Sequence, residues 1–281
     1  MSQYIEVINS NYPRGDFRFA VFDFDGTLSL IREGWQKIMK DYFYEELIKA
    51  PASKDEPEAS LRACIDEFVD VNTGKQTIYQ CFGLVDAVKN RGGVPLDALD
   101  YKDEYTRRLM AQIDYRIKGL EDGSIDPADY TVPGGIDFLK DLKARNVSIF
   151  IASGTDEVFA EHEAELLDTT KYLAARVYGA QRDYKSFSKR MVIERIMKEN
   201  SLQGAQLMGF GDGFVEIENI KEHGGFAVGL ATDEKHRDGR IDEWKRERLI
   251  RAGADIIIPD FSHVDELMRY LYPEGGHTDA V

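Results

Sequence analysis

The chain has 281 residues, 43% of them hydrophobic, enough to bury a full core in one large domain or two modest ones. Its formal net charge of −15 comes from 51 acidic against 36 basic residues. With no basic stripe, that balance argues against a nucleic-acid partner and requires any phosphorylated ligand to be met by a local cation. No stretch approaches the roughly 18 apolar residues of a membrane span, and residues 1–16 lack a basic segment followed by an apolar one. Cys64 and Cys81 have neither CxxC spacing nor a histidine cluster nearby. Buried free thiols, no membrane partner and the cytoplasm are therefore expected.

In chain order, residues 18–25 (RFAVFDFD) form a short apolar run that reads as a buried strand ending in a turn at Gly26. Residues 31–130 contain helical patterns and no convincing strand. Their helices are predicted at 35–48, 58–71, 77–90 and 96–118, separated by Pro- and Gly-containing stretches at 50–57 and 91–95. Tyr42, Phe43 and Tyr44 fit a packing face of the first of these helices. From residue 135 onward helices (135–146, 156–167, 188–200, 216–223) alternate with apolar strands (147–153, 176–180, 206–212, 226–232, 254–260), the pattern of a parallel sheet covered on both faces. The predicted class is α/β, a Rossmann-like core of residues 1–30 and 131–281 with a helical domain of residues 31–130 inserted after the first strand. DEKHRDGR at 233–240 reads as a solvated loop in which His236 has no metal role, and the tail from Pro273 reads as polar and frayed.

Ligands of open parallel sheets bind outside the carboxyl ends of the strands. Asp23, Asp25, Gly26 and Thr27 fall at the first such end, Ser153, Gly154 and Thr155 at the second, and Gly211, Asp212 and Gly213, then Glu216, at the fourth. Lys189 opens the helix at 188–200. Asp23 and Asp25, two apart, share a face if the strand continues, although the turn at Gly26 can redirect the second. Two neighbouring carboxylates with a third from another strand make a hard oxygen site suited to Mg²⁺. A cation there would keep a carboxylate ionised and let it approach an anionic phosphorus, while the second carboxyl moves protons.

DFDGT at 23–27, IASGT at 151–155, Lys189 ahead of its helix and GFGDGFVE at 209–216 together resemble, in order and spacing, the haloacid dehalogenase superfamily of phosphatases. The resemblance implies a nucleophile at Asp23 and a general acid/base at Asp25, with Ser153 and the Gly154 amide on the phosphoryl oxygens and Lys189 steadying charge. It also implies Mg²⁺ held by the Asp23 carboxylate, the Asp25 backbone carbonyl and the Asp212 carboxylate, and a helical cap formed by the insertion. Thr27 and Arg32 join Ser153, Gly154 and Lys189 as expected substrate-binding residues. Glu216 stands where many members carry Asp, which leaves it as direct ligand or outer partner; Lys185 lies near enough to rival Lys189, which is preferred because the apolar pattern Val192, Ile193, Ile196 starts just after it. An aspartate at position 25 points to phosphorus rather than carbon–halogen chemistry.

The expected activity is hydrolysis of a small phosphorylated metabolite through an aspartyl phosphate. A phosphomutase or phosphotransferase acting on a sugar phosphate and a non-catalytic phospholigand-binding member are the alternatives. Each signal also has a structural reading. DFDGT could be an Asp-Gly turn, Ser153 and Thr155 could cap a helix, Asp212 could belong to an ordinary turn, Lys189 and Arg32 could face solvent, and Trp35 could be core. Thr73, Lys75 and Gln76 form a polar loop that could read a leaving group. The sequence names neither the substrate nor the oligomeric state.

Overall fold

The computed structural model describes residues 4–273, so the tail expected to fray lies, except for Pro273, outside the described residues. The chain divides into two compact units, one within Met1–Glu33 and Gly119–Val281, the other Gly34–Lys118. Residues 31–33 and 119–130, placed by sequence in the insertion, lie with the sheet unit, which puts Arg32 among the core elements.

In the sheet unit the strands are β1 (Glu6–Val7), β2 (Phe19–Phe22), β3 (Ser148–Asp156), β4 (Tyr178–Ala180), β5 (Leu207–Gly211), β6 (Phe226–Leu230) and β7 (Ile256–Ile258). They form one sheet in the order β1-β7-β6-β5-β2-β3-β4, parallel except for β1 against β7. The chain runs outward from β2 to β3 and β4, then returns to the other side of β2 for β5, which makes the β5–β2 boundary a topological switch point. Helices α5 (Gly135–Ala144), α6 (Glu157–Leu166), α7 (Lys189–Glu199), α8 (Phe214–Glu222), α9 (Glu243–Arg251) and α10 (Val264–Leu271) follow in chain order. The sequence reading assigned no element to β1, α9 or α10. The first strand stops at Phe22, before both aspartates, whereas β3 runs on through Ser153 and Thr155 to Asp156.

Period-two alternation divides the core. Val21, with Phe19 packed beside it, faces a cluster that includes Phe150, Val192 and Ile193 of α7 and Ile217 and Ile220 of α8. Phe22 points the other way, stacks on Phe210 at 4.4 Å between centroids and meets Phe138 of α5 and Phe261. Two glycines of β5 let α8 lie close: a Cβ at Gly209 would come 2.2 Å from Ile220 Cγ1, and one at Gly211 would come 2.8 Å from Glu216 Cβ.

The other unit is helical, with α1 (Trp35–Leu47), α2 (Glu58–Val71), α3 (Ile78–Asn90) and the greater part of α4 (Ala98–Glu121). Met39, Tyr42, Phe43 and Leu47 of α1 and Leu61, Ile65 and Val69 of α2 recur at helical spacing and are buried, while Trp35 is only half-buried. Cys81 is buried and Cys64 half-buried, both as free thiols. The two ends of the insertion are stitched together within the sheet unit, where Leu30 N–H donates to Tyr130 O and Val132 N–H to Leu28 O. No helix among the described residues is long and apolar enough to cross a membrane.

Phe210 is fully buried between Phe22 and Phe138. Phe210→Ala is expected to lower stability by about 3–5 kcal/mol in urea unfolding, the usual cost of emptying a large aromatic site.

Candidate active site

The three strands that carry the sequence motifs are neighbours. Phe22 pairs in register with Ile151 on one side and Phe210 on the other, so Asp23 emerges between β3 and β5, and its N–H donates to Phe210 O at 2.9 Å. Asp23 continues the alternation of Phe19 and Val21 and so falls on the face covered by α7 and α8. There Lys189, the first residue of α7, sits buried behind a Ser188 cap that accepts from Met191 N–H. Its Nζ lies 2.8 Å from Asp23 Oδ1 and also contacts Glu216 Oε1 on α8. Lys185 is exposed, which separates the two rival lysines. Glu216 is thus a partner of Lys189, and its Oε2 has no hydrogen bond among the described residues.

Asp23 Oδ1 also accepts from the Phe24 N–H at 2.8 Å, and Oδ2 accepts no hydrogen bond among the described residues. Burial pushes the Asp23 carboxyl up to about 6; the Lys189 ammonium opposes this, and the charges of Asp212 and Asp25 add to it.

Asp25 has a different setting. The chain turns after Phe24, whose carbonyl accepts from the N–H groups of Thr27, Leu28 and Ser29, and Gly26 takes φ +75°. Asp25 Oδ2 accepts from Ser153 Oγ at 3.2 Å and Thr155 Oγ1 at 2.8 Å, and Thr155 N–H donates to Ser153 Oγ at 3.0 Å. Ser153 and Thr155 therefore lie on the strand facing Asp25, and the N-cap position of α6 is Asp156. Asp25 Oδ1 has no hydrogen-bond partner among the described residues, with Arg32 Nε 3.8 Å away. Arg32 is buried, against the solvent-facing reading, because Glu163 of α6 receives its guanidinium on both carboxylate oxygens, Nε at 3.0 Å and Nη2 at 2.6 Å. Burial raises the Glu163 carboxyl, and Arg32 opposes it.

Thr27 is fully buried and its Oγ1 accepts from the Asp212 N–H at 3.1 Å, tying the loop after β2 to the loop after β5. Asp212 Oδ2 accepts from Lys245 Nζ at 2.8 Å, and Glu234 Oε1 accepts from the same ammonium at 2.6 Å. Burial opposes the charge on Lys245, but Asp212 and Glu234 overcome it and raise its pKa. The stretch 233–240, expected to be solvated, therefore delivers a half-buried Glu234 to the site, while His236 stays exposed beside Asp233. Thr73 and Lys75 are half-buried in the helical unit, and Gln76 is buried there.

Sequence reading missed Glu163, Glu234 and Lys245. One signal could have found two of them. Glu163 shares the buried face of α6 with Ala160 and Ala164, and Lys245 precedes the buried Leu249 by one helical turn. Lys189 stands in the same relation to Val192 and Ile193. A charge on the apolar face of a helix is costly without a partner and so points to one.

Among the described residues no group of three His, Cys, Asp or Glu side chains is placed to hold a metal ion. Two carboxylates with backbone carbonyl and water oxygens are nevertheless a set that suits Mg²⁺. Asp212 lies near enough for its charge to raise the pKa of Asp23, and Asp212 Oδ1 accepts no hydrogen bond among the described residues. The corner is acidic, hard and short of positive charge, so its residues fit a divalent cation.

Arg32→Met would leave Glu163 buried without its guanidinium, with an expected loss of about 3–5 kcal/mol in urea unfolding. Arg32→Met combined with Glu163→Leu should recover most of that loss.

The sequence matches the haloacid dehalogenase-like hydrolase family over residues 17–224. No curated protein matches the chain. Among solved structures it is similar to a predicted phosphoglycolate phosphatase from Haemophilus somnus 129pt, with 14% identity, a TM-score of 0.57 and coverage of 90% of this chain and 98% of that one. A β-phosphoglucomutase from Clostridium difficile matches with 15% identity, a TM-score of 0.56 and coverage of 91% and 97%. A predicted phosphatase from Clostridium acetobutylicum matches with 19% identity, a TM-score of 0.55 and coverage of 90% and 97%. At such identities the likeness is one of fold. The family match itself runs from ahead of β2 to the end of α8, taking in both aspartates of the first loop, Ser153, Lys189 and Asp212, and the chain belongs to the haloacid dehalogenase-like hydrolase family.

Proposed function

We propose that this protein is a magnesium-dependent phosphohydrolase that cleaves a small phosphate monoester through an aspartyl phosphate on Asp23, with Asp25 as general acid and base. The observation that carries this reading is the different treatment of two aspartates only two residues apart. Asp23 has one oxygen held by the Lys189 ammonium at 2.8 Å and the other without a hydrogen bond among the described residues, whereas Asp25 is held by two hydroxyls. Paired carboxyls in unlike settings are suited to unlike roles.

Asp23 Oδ2 attacks phosphorus while Lys189 fixes Oδ1 and balances charge. Asp25, turned by Ser153 and Thr155, protonates the leaving oxygen, then takes a proton from the water that opens the aspartyl phosphate. The Gly154 amide and the Ser153 hydroxyl, once turned away from Asp25, receive phosphoryl oxygens, and the Thr155 hydroxyl keeps its hold on Asp25. The Asp23 and Asp212 carboxylates and the Asp25 backbone carbonyl would hold Mg²⁺, which supplies charge neutralisation for an anionic nucleophile meeting an anionic phosphorus. The helical unit is assigned to substrate selection as a cap. Fold likeness to phosphatases and to a β-phosphoglucomutase supports phosphoryl chemistry on a small phosphorylated metabolite.

Asp23→Asn is expected to melt like the wild type and to reduce Mg²⁺-dependent hydrolysis of p-nitrophenyl phosphate to the level seen with chelator. Retained turnover would exclude attack by Asp23. Asp25→Ala is expected to slow hydrolysis by about 10²–10⁴-fold, with Mg²⁺ affinity unchanged because the metal would use its backbone. Inorganic phosphate released from a panel of phosphate esters identifies a hydrolase; phosphoryl groups recovered on a second hydroxyl of the sugar identify a mutase.

A further inference from the structure

Lys245 belongs to none of the motifs that the sequence reading used. The chain leaves β6, makes an excursion through residues 231–242 and returns: Thr232 and Ile241 form an antiparallel bridge, and Asp242 N–H donates to Ala231 O at 2.8 Å. The Asp242 side chain then caps α9 by accepting from Lys245 N–H at 3.0 Å. Lys245 is thereby fixed in the first turn of a helix, where the dipole disfavours a cation, and in a buried position, where desolvation disfavours it again. Local physics does not put an ammonium there; the two carboxylates it touches do. The loop after β2 is built around the same contact, since a Cβ at Gly26 would come 2.3 Å from Asp212 Oδ2 and 3.1 Å from Glu234 Oε1.

We propose that Lys245 and Glu234 are a positioning pair for Asp212: the ammonium, itself anchored by Glu234, holds Asp212 Oδ2 so that Oδ1 is presented to the divalent cation. The inference rests on the proposed assignment of Asp212 as a metal ligand. Asp212 Oδ1 accepts no hydrogen bond among the described residues, so the pinned carboxylate keeps one oxygen for a ligand. Outer partners that orient metal-binding carboxylates commonly change metal affinity by about 10–100-fold when removed.

Calorimetric titration of the full-length protein with MgCl₂ tests this, because positioning and bare charge predict opposite signs. If Lys245 contributed only its charge, Lys245→Met would tighten Mg²⁺ binding, since a cation would no longer repel a cation, while Glu234→Gln would weaken it. Positioning requires both substitutions to weaken binding by about 10-fold or more. Glu234→Gln with Lys245→Met replaces both charges by neutral side chains of similar size, so it keeps the test open if Lys245→Met alone fails to fold, as thermal melting in the absence of metal would reveal. The double variant should also bind Mg²⁺ about 10-fold or more weakly. Wild-type affinity or better in Lys245→Met or in the double variant would overturn the positioning role. Asp212→Asn, titrated alongside, separates the two levels: if it binds Mg²⁺ as the wild type does, the metal assignment falls and this inference with it. If it loses binding while Lys245→Met keeps it, only the positioning role falls.

Discussion

Negative charge is crowded at the carboxyl end of β5, β2 and β3, and the rest of the site depends on how that charge is held. Each of the three aspartates there faces a buried cation, and each cation is gripped by a glutamate from elsewhere in the chain. Lys189 lies between Asp23 and Glu216, Lys245 between Asp212 and Glu234, and Arg32 is bound to Glu163 beside Asp25. A buried cation with a single carboxylate would be free to follow it. The second carboxylate fixes the cation; Lys189 and Lys245 then contact Asp23 and Asp212 directly, whereas Asp25 is held by the Ser153 and Thr155 hydroxyls with Arg32 3.8 Å away.

The sheet supplies the convergence. Because the chain reverses direction of travel across the β2–β5 boundary, three parallel strands from distant parts of the sequence end side by side. Alternation along β2 sends Asp23 to the α7 and α8 face, and the glycines of β5 allow α8 to approach until Glu216 reaches Lys189. Gly26 performs the same service in the loop, leaving room for Asp212 and Glu234 against the backbone. Small residues here determine where charges can meet.

How readable each part was depended on the range of the physics behind it. The strand leading into the first aspartates, the alternation of helices and strands and the helical insertion all follow from periodicity within a dozen residues, and they are present. The end of the first strand was placed three residues too late, since an apolar run cannot tell a strand from the turn that the carbonyl of Phe24 organises. Glu234 read as solvent-facing because it sits in a polar stretch, and Arg32 because an arginine without a visible partner belongs in water; their partners, Lys245 and Glu163, lie beyond a loop or far along the chain.

By itself, the sequence determined the α/β class, the existence of an inserted helical unit and the residue types at the strand ends, because hydrophobic period and turn chemistry are local properties of the chain. Only the tertiary structure decided that Lys189 rather than Lys185 meets Asp23, that Glu216 holds that lysine, that Arg32 is buried and that Lys245 reaches Asp212. Those outcomes are set by strand order and helix approach, which determine the distance between charges, and no spacing along one chain encodes such a distance.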